Sequence, residues 1–293
     1  MKKNKNKKIR NIVAFILLTL LVSCTAIMSK IPPYNEETQR QYANMGIEFT
    51  SFEHDIEGQT VFGVKKGNHE TCNHAVLFIH GAPGNWQAWG QYFGDKDLYG
   101  KAKLIAIDRP GYGRSGSGHA VTNLKTHTHA IMQSVLKEHS GPFIVIGHSY
   151  GGPVQMQMAI DYPKYISSMI ILAGALDPAL HHARWYHILG DFYPVRLSLP
   201  TEVNVATKEM LKLQHNLEQQ SEFLGQVALD THIIQGEKDW LVPEANADFV
   251  KNHLKSSKVH IEKVKKQGHF IPWREYNLVK SSILNILNEK CSL

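Results

Sequence analysis

The chain has 293 residues, enough for one large α/β domain or two small ones. With 43% hydrophobic and 20% charged residues it is too apolar for disorder. Its net charge of +6 is supplied by Lys2, Lys3, Lys5, Lys7, Lys8 and Arg10, beyond which 26 bases face 26 acids, so no nucleic-acid partner is expected.

Residues 1 to 23 contain no acid, and the basic run gives way to an apolar stretch from Ile12 to Val22. That stretch is short for a bilayer span and has the length of a secretory h-region. It ends in Leu21-Val22-Ser23-Cys24, which resembles the bacterial lipobox. The resemblance implies cleavage of a signal peptide at 1–23 and diacylation of Cys24. The product would be an exported lipoprotein of the cell envelope, held by membrane lipid. Two readings stay open beside it: an uncleaved signal anchor, because apolar residues continue through Ala26, Ile27 and Met28, and a non-lipidated secretory peptide. Each exports the domain, so Cys72 and Cys291 could pair, provided their Cα atoms come close enough. Three cysteines without ligand spacing indicate no metal.

Residues 24–46 are polar, contain Pro32-Pro33 and read as a tether. Ile47 to Phe52 and Thr60 to Val64 alternate around Glu57-Gly58, as an antiparallel hairpin does. Short continuous apolar runs follow at Ala75–Ile79, Leu104–Ile107, Phe143–Ile146 and Met169–Ala173. Such runs mark strands buried on both faces. Helical stretches at Asn123–His139 and Gly151–Tyr162 alternate with them, the second stopped by Pro163. Residues 176–229 interrupt this order and read as an inserted cap, aromatic at first and helical from about Thr207 to Leu224. Alternation resumes with His232-Ile233-Ile234, a helix near 244–254, the edge-like strand Val259–Val264 and a last helix near 274–288. Strand and helix in turn predict a mostly parallel sheet with helices on both faces, with a core of 47–175 and 230–293.

Chemistry concentrates after the third buried run, at Gly147-His148-Ser149-Tyr150-Gly151-Gly152. A Gly-x-Ser-x-Gly match between strand and helix is the context of a nucleophile elbow, and Pro153 suits a first helical turn. A phosphate-binding turn is the competing reading, but it wants Gly-Lys-Ser/Thr or Gly-x-Gly-x-x-Gly. A serine hydroxyl needs a base, and the base needs an acid to orient it. In chain order the candidates are Gln235-Gly236-Glu237-Lys238-Asp239-Trp240 and Gln267-Gly268-His269-Phe270, each following a strand.

Together these segments resemble the α/β-hydrolase superfamily from about Gly58 to the C-terminus. The resemblance implies an eight-stranded sheet, Ser149 as nucleophile, His269 as general base and Asp239 as acid, with no cofactor. Glu237 and Asp177 are minor rivals for the acid. His-Gly-Ala-Pro-Gly from His80 to Gly84 is similar to the superfamily's oxyanion loop, so the N–H groups of Ala82 and Tyr150 would hold the oxyanion and His80 would brace the loop. Asp108 to Gly116 also matches, with Asp108, Arg109 and Ser115 as a turn network. His127, His129, His181, His182 and His187 read as surface or pocket-lining residues. No His-Glu-x-x-His motif suggests zinc. Serine at the elbow argues against the dehalogenases and epoxide hydrolases of the superfamily and for hydrolysis of a small carboxylic ester. Trp86, Trp185, Tyr186, Trp240 and Trp273 are candidate pocket walls. The alternatives are an amidase or prolyl-aminopeptidase-like peptidase, and a non-catalytic binding protein on the same fold.

Overall fold

A computed structural model describes residues 36–67, 72–255 and 257–291. The leader and Cys24 lie outside the described residues. Eight strands form one sheet in the order β1-β2-β4-β3-β5-β6-β7-β8. The hairpin strands β1 (Thr50–Ile56) and β2 (Gln59–Lys66) are antiparallel, and β2 joins β4 (Lys103–Ile107) antiparallel. From there β3 (Ala75–Ile79), β5 (Phe143–His148), β6 (Ile166–Leu172), β7 (Asp230–Gly236) and β8 (Val259–Val264) all run parallel. This is the predicted architecture, and the continuous apolar runs explain it. In β3, Leu77 and Ile79 enter one core while Val76 and Phe78 enter the other. Both faces of a central parallel strand are dry, so every position must be apolar. β8 pairs only with β7 and is half-exposed along its length, as its mixed sequence predicts.

One face is covered by α4 (Leu124–Glu138), α5 (Gly151–Asp161) and α9 (Ala245–His253). The other carries the short helices α2 (Gly90–Phe93) and α3 (Lys96–Tyr99), together with the last helix, α11 (Tyr276–Cys291). A 3-10 turn, Trp86–Trp89, precedes α2, and the four-residue α10 (Ile271–Arg274) precedes α11.

Two expectations need amendment. Residues 36–44 of the supposed tether are α1 (Glu36–Asn44), whose Tyr42 packs its ring 5.2 Å from that of Trp86. The cap's long helix, α8 (Thr201–Ser221), begins six residues earlier than the sequence suggests, after Pro200. It follows α6 (Trp185–Asp191) and α7 (Tyr193–Arg196). Cys72 and Cys291 are disulfide-bonded, with Cα atoms 5.0 Å apart across 219 positions of chain. The bridge fastens α11 to the entrance of β3. His74 stands with the two sulfurs in a cluster of possible metal ligands, but the sulfurs are bonded to each other.

Candidate active site

The C-terminal ends of the parallel strands carry every group the motifs singled out. Ser149 closes β5 and opens α5 with φ +55°, a left-handed conformation that a non-glycine residue rarely adopts. Such strain costs on the order of 1–3 kcal/mol and must be held by the surroundings. Here it is: Ser149 N–H donates to the Leu172 carbonyl, and its own carbonyl accepts from Gly152 and Ala175. The flanking glycines are a matter of space. A Cβ on Gly147 would stand 2.4 Å from the Gly151 carbonyl oxygen, and one on Gly151 would stand 2.5 Å from that of Ile79. The elbow therefore pushes its hydroxyl outward, and among the described residues nothing hydrogen-bonds to Ser149 Oγ.

Asp239 and His269 pair with each other, and the His269 loop is bonded to His148, the residue before Ser149. His269 Nδ1–H donates to Asp239 Oδ2 at 2.7 Å, and both side chains are almost fully buried. The other carboxylate oxygen, Oδ1, accepts from the N–H groups of Leu241 and Val242, each at 2.9 Å. Gln235 Nε2 adds a longer bond to Oδ2 at 3.4 Å. Since Nδ1 faces the acid, the free ring nitrogen of His269 is Nε2. His148, the residue before Ser149, fixes the base loop by donating Nε2–H to the His269 carbonyl at 2.9 Å. The two imidazoles lie 4.7 Å apart. Burial, then the neighbouring His269, hold His148 down at a pKa of about 3, so it remains neutral. No hydrogen bond joins Ser149 Oγ to His269; such bonds often tighten only when substrate arrives.

The oxyanion loop abuts the elbow: a Cβ on Gly81 would be 3.0 Å from that of Ser149. Among the described residues no group accepts from the backbone N–H of Ala82 or Tyr150. His80 has the structural part expected of it. Its Nε2 accepts from Arg109 N–H at 2.9 Å, and its Nδ1–H donates to the Gly81 carbonyl at 2.7 Å. Asp108 bridges two turns, accepting from Trp86 N–H at 2.8 Å and Arg114 N–H at 2.9 Å. Burial raises its pKa to about 6.

The sequence reading missed Glu209. This α8 residue descends from the cap into full burial and makes a bidentate pair with Arg109, at 2.7 and 3.1 Å. Tyr112 Oη donates a third bond to it at 2.6 Å. Burial pushes the Glu209 carboxyl up and the guanidinium pulls it back; two-pronged geometry with a third donor suits the ionised form. Arg109 uses its remaining N–H groups on the His80 and Gly81 carbonyls, and its guanidinium lies between the Tyr112 and Tyr150 rings. One cation thus contacts both segments that carry oxyanion donors. The available signal was positional. Val205, Glu209, Leu213 and Leu217 recur every four residues, so the acid sits in line with an apolar stripe.

The other candidates scatter. Trp86 is a correction: it is fully buried against Tyr42, Phe49 and Phe93, as a core residue is. Trp185, Tyr186, Trp240 and Trp273 are exposed at the cap and rim. Glu237 is exposed, and Asp177 caps the 3-10 turn at Pro178. His127 is buried against Arg109, His181 bonds Asn246, His182 bonds Gln214 and His129 bonds Tyr162. His187 belongs to the start of α6 through Arg184 N–H. A separate groove lined by Ile47, Phe49, Lys65, Lys66 and Lys103 opens at the opposite end of the strands.

A sequence profile of the alpha/beta hydrolase fold matches residues 74–198. The chain thus has the α/β-hydrolase fold. Over 97 residues it is 33% identical to Epoxide hydrolase 1 of Caenorhabditis elegans, covering 32% of this chain and 24% of that protein. Over 110 residues it is 30% identical to a pimeloyl-[acyl-carrier protein] methyl ester esterase of Vibrio vulnificus, covering 38% and 40%. The chain thus spans less than half the length of these curated relatives. A crystal structure of a membrane phospholipase A, described as a bacterial virulence factor, superposes with TM-score 0.63 at 15% identity, covering 98% of this chain and 99% of that one.

Proposed function

We propose that the chain is a membrane-anchored serine hydrolase that cleaves a carboxylic ester through an acyl-enzyme on Ser149. The observation that carries the reading is the strained, outward-facing Ser149, whose neighbour His148 bonds the base loop, together with an Asp239–His269 pair whose Nε2 is free. Ser149 Oγ attacks the ester carbon as its proton passes to His269 Nε2. Asp239 stabilises the resulting imidazolium and is itself held by two backbone N–H groups. The Ala82 and Tyr150 N–H groups receive the developing oxyanion; one such donor is worth about 3 kcal/mol of transition-state stabilisation. Collapse expels the alcohol with the proton from His269, and water repeats the sequence to release the acid. Serine at the elbow separates this reading from the epoxide hydrolase likeness, and the esterase and phospholipase likenesses agree with it.

An aminopeptidase would need a carboxylate free for the substrate amine. Glu209 is the fully buried acid that the cap contributes, and Arg109 and Tyr112 already occupy it. The membrane anchor rests on the Cys24 motif; a Cys24→Ala chain that stays processed and membrane-bound would remove that part.

Hydrolysis of p-nitrophenyl butyrate tests the chemistry. Ser149→Ala should abolish turnover and labelling by a fluorophosphonate. Asp239→Asn should lower kcat by about 10⁴-fold, because the imidazole loses its orienting acid. Release from a proline naphthylamide without ester hydrolysis would instead favour the peptidase, and neither activity a binding protein.

A further inference from the structure

Large apolar side chains are exposed almost entirely at one end of the molecule. The cap's outer helices present Trp185, Ile188, Phe192, Tyr193 and Leu197, and Leu197 is 69% exposed. The acid and base loops add Trp240, next to Asp239 and 72% exposed, with Phe270 and Trp273. Among the described residues away from this end, only Met45 and Tyr165 are comparably bare. Both sets stand at the C-terminal ends of the strands, and His181 of the cap bonds Asn246 just beyond the acid loop. An apolar patch of this kind marks a surface that meets something.

We infer that this end is a lipid-facing surface, and that the ester substrate is an acyl lipid drawn from a bilayer. The inference rests on the serine-hydrolase and anchor readings above. Its composition is that of a membrane interface, with Trp and Tyr rings beside aliphatic side chains and basic residues. Across residues 181–200 Arg184 and Arg196 face a single acid, Asp191. The start of the described chain points the same way. Tyr42 of α1 packs on Trp86 and Gly90, and the adjoining Ala88 carbonyl accepts the Trp273 indole N–H at 3.0 Å. Twelve residues, 24–35, separate α1 from the acyl-bearing cysteine of that reading. Fully extended they reach at most about 40 Å, long enough for an anchor there to let this rim rest on the bilayer. Among the described residues no helix is long and apolar enough to cross a membrane.

The test uses the full lipidated chain in phosphatidylcholine vesicles with brominated acyl chains. Trp86 and Trp89 are buried and report nothing, whereas Trp185, Trp240 and Trp273 should be quenched by at least half, and Trp185→Phe/Trp240→Phe/Trp273→Phe should remove most of that quenching. Ile188→Ser/Leu197→Ser should lower the ratio of vesicle-lipid to soluble-ester hydrolysis at least tenfold. Quenching that persists in Ser149→Ala without any hydrolysis in the native chain keeps the surface and refutes the chemistry. Ester hydrolysis without quenching overturns the surface, as does a dimer in detergent-free solution that shields both tryptophans from iodide.

Discussion

Helices α6, α7 and α8 follow one another in the chain, yet the cap's inner and outer layers are stabilised by opposite means. The inner helix α8 buries Val205, Leu213 and Leu217, and it carries Glu209 to Arg109. Asn216 and Gln220 add bonds to the Thr122 and Pro153 carbonyls. In the outer helices, Gly190 is the only buried residue of α6, and α7 has none. The inner layer is specified by groups that fail badly when alone, since a buried charge needs its partner. The outer layer makes lighter contacts with the fold: Gly190 packs on Thr207, and Asn204 Nδ2 donates to the Arg196 and Leu199 carbonyls. A cap built this way has a fixed floor and a replaceable roof: the floor ties the His80–Gly81 segment to Tyr150 through Arg109, and the roof is available to a ligand or surface.

The hardest test removes one half of the floor's ion pair. Glu209→Ala leaves Arg109 charged and buried, which should cost about 3–5 kcal/mol in urea unfolding. Arg109→Met/Glu209→Leu deletes more hydrogen bonds but strands no charge, so it should be the more stable of the two variants. The double variant should still lose activity, since the His80 and Gly81 carbonyls are no longer tied to Tyr150 through one guanidinium. A loss below about 1 kcal/mol in Glu209→Ala would show that water reaches the pair and that the two layers do not differ.

Acid should weaken the same floor by a smaller amount. His127 donates Nδ1–H to the Val121 carbonyl and turns Nε2 to Arg109, 3.4 Å away. Burial, then Arg109, lower its pKa to about 3 from the usual 6.5. The unfolded chain therefore takes up this proton first, and stability complete above pH 6.5 is lost as pH falls toward 3. By pH 4.5 this one group accounts for about 2–3 kcal/mol. His127→Gln should remove that share of the difference between urea midpoints at pH 7.5 and 4.5. His80 and His148, also buried and neutral, would supply the remainder. An unchanged pH slope in His127→Gln would assign the acid sensitivity elsewhere.

Most of the sheet and its elbow was legible in the sequence, where a local rule governs it. The parallel strands announce themselves because both faces are dry, and the elbow because no Cβ fits at Gly147 or Gly151. Asp239 and His269 were found by order after strands, although 30 residues separate them. Long-range pairing is where sequence reading fails. Nothing near Arg109 points to an acid 100 positions away, and Glu209 shows only as a charge within an apolar stripe. Trp86 and Trp185 are the same residue type, but one is core and the other bare, and only tertiary packing distinguishes them. The helix α1 escaped for a related reason: its sequence is mostly polar, and among its described residues Thr38 is buried while Tyr42 packs its ring on Trp86.

The smallest expected effect is the most discriminating for the roof. Ile188 and Leu197 are 62% and 69% exposed, so truncating either removes little surface that folding had taken from water. Ile188→Ser and Leu197→Ser should each change unfolding free energy by less than about 0.5 kcal/mol, as surface substitutions do. Natural sequences rarely leave such side chains bare without a use, so neutrality toward folding is what a surface reserved for another partner should show. A loss above about 1 kcal/mol would mean that the outer helices pack against the domain in solution. The contrast with α8 would then vanish, and with it the reason to expect lipid at this face.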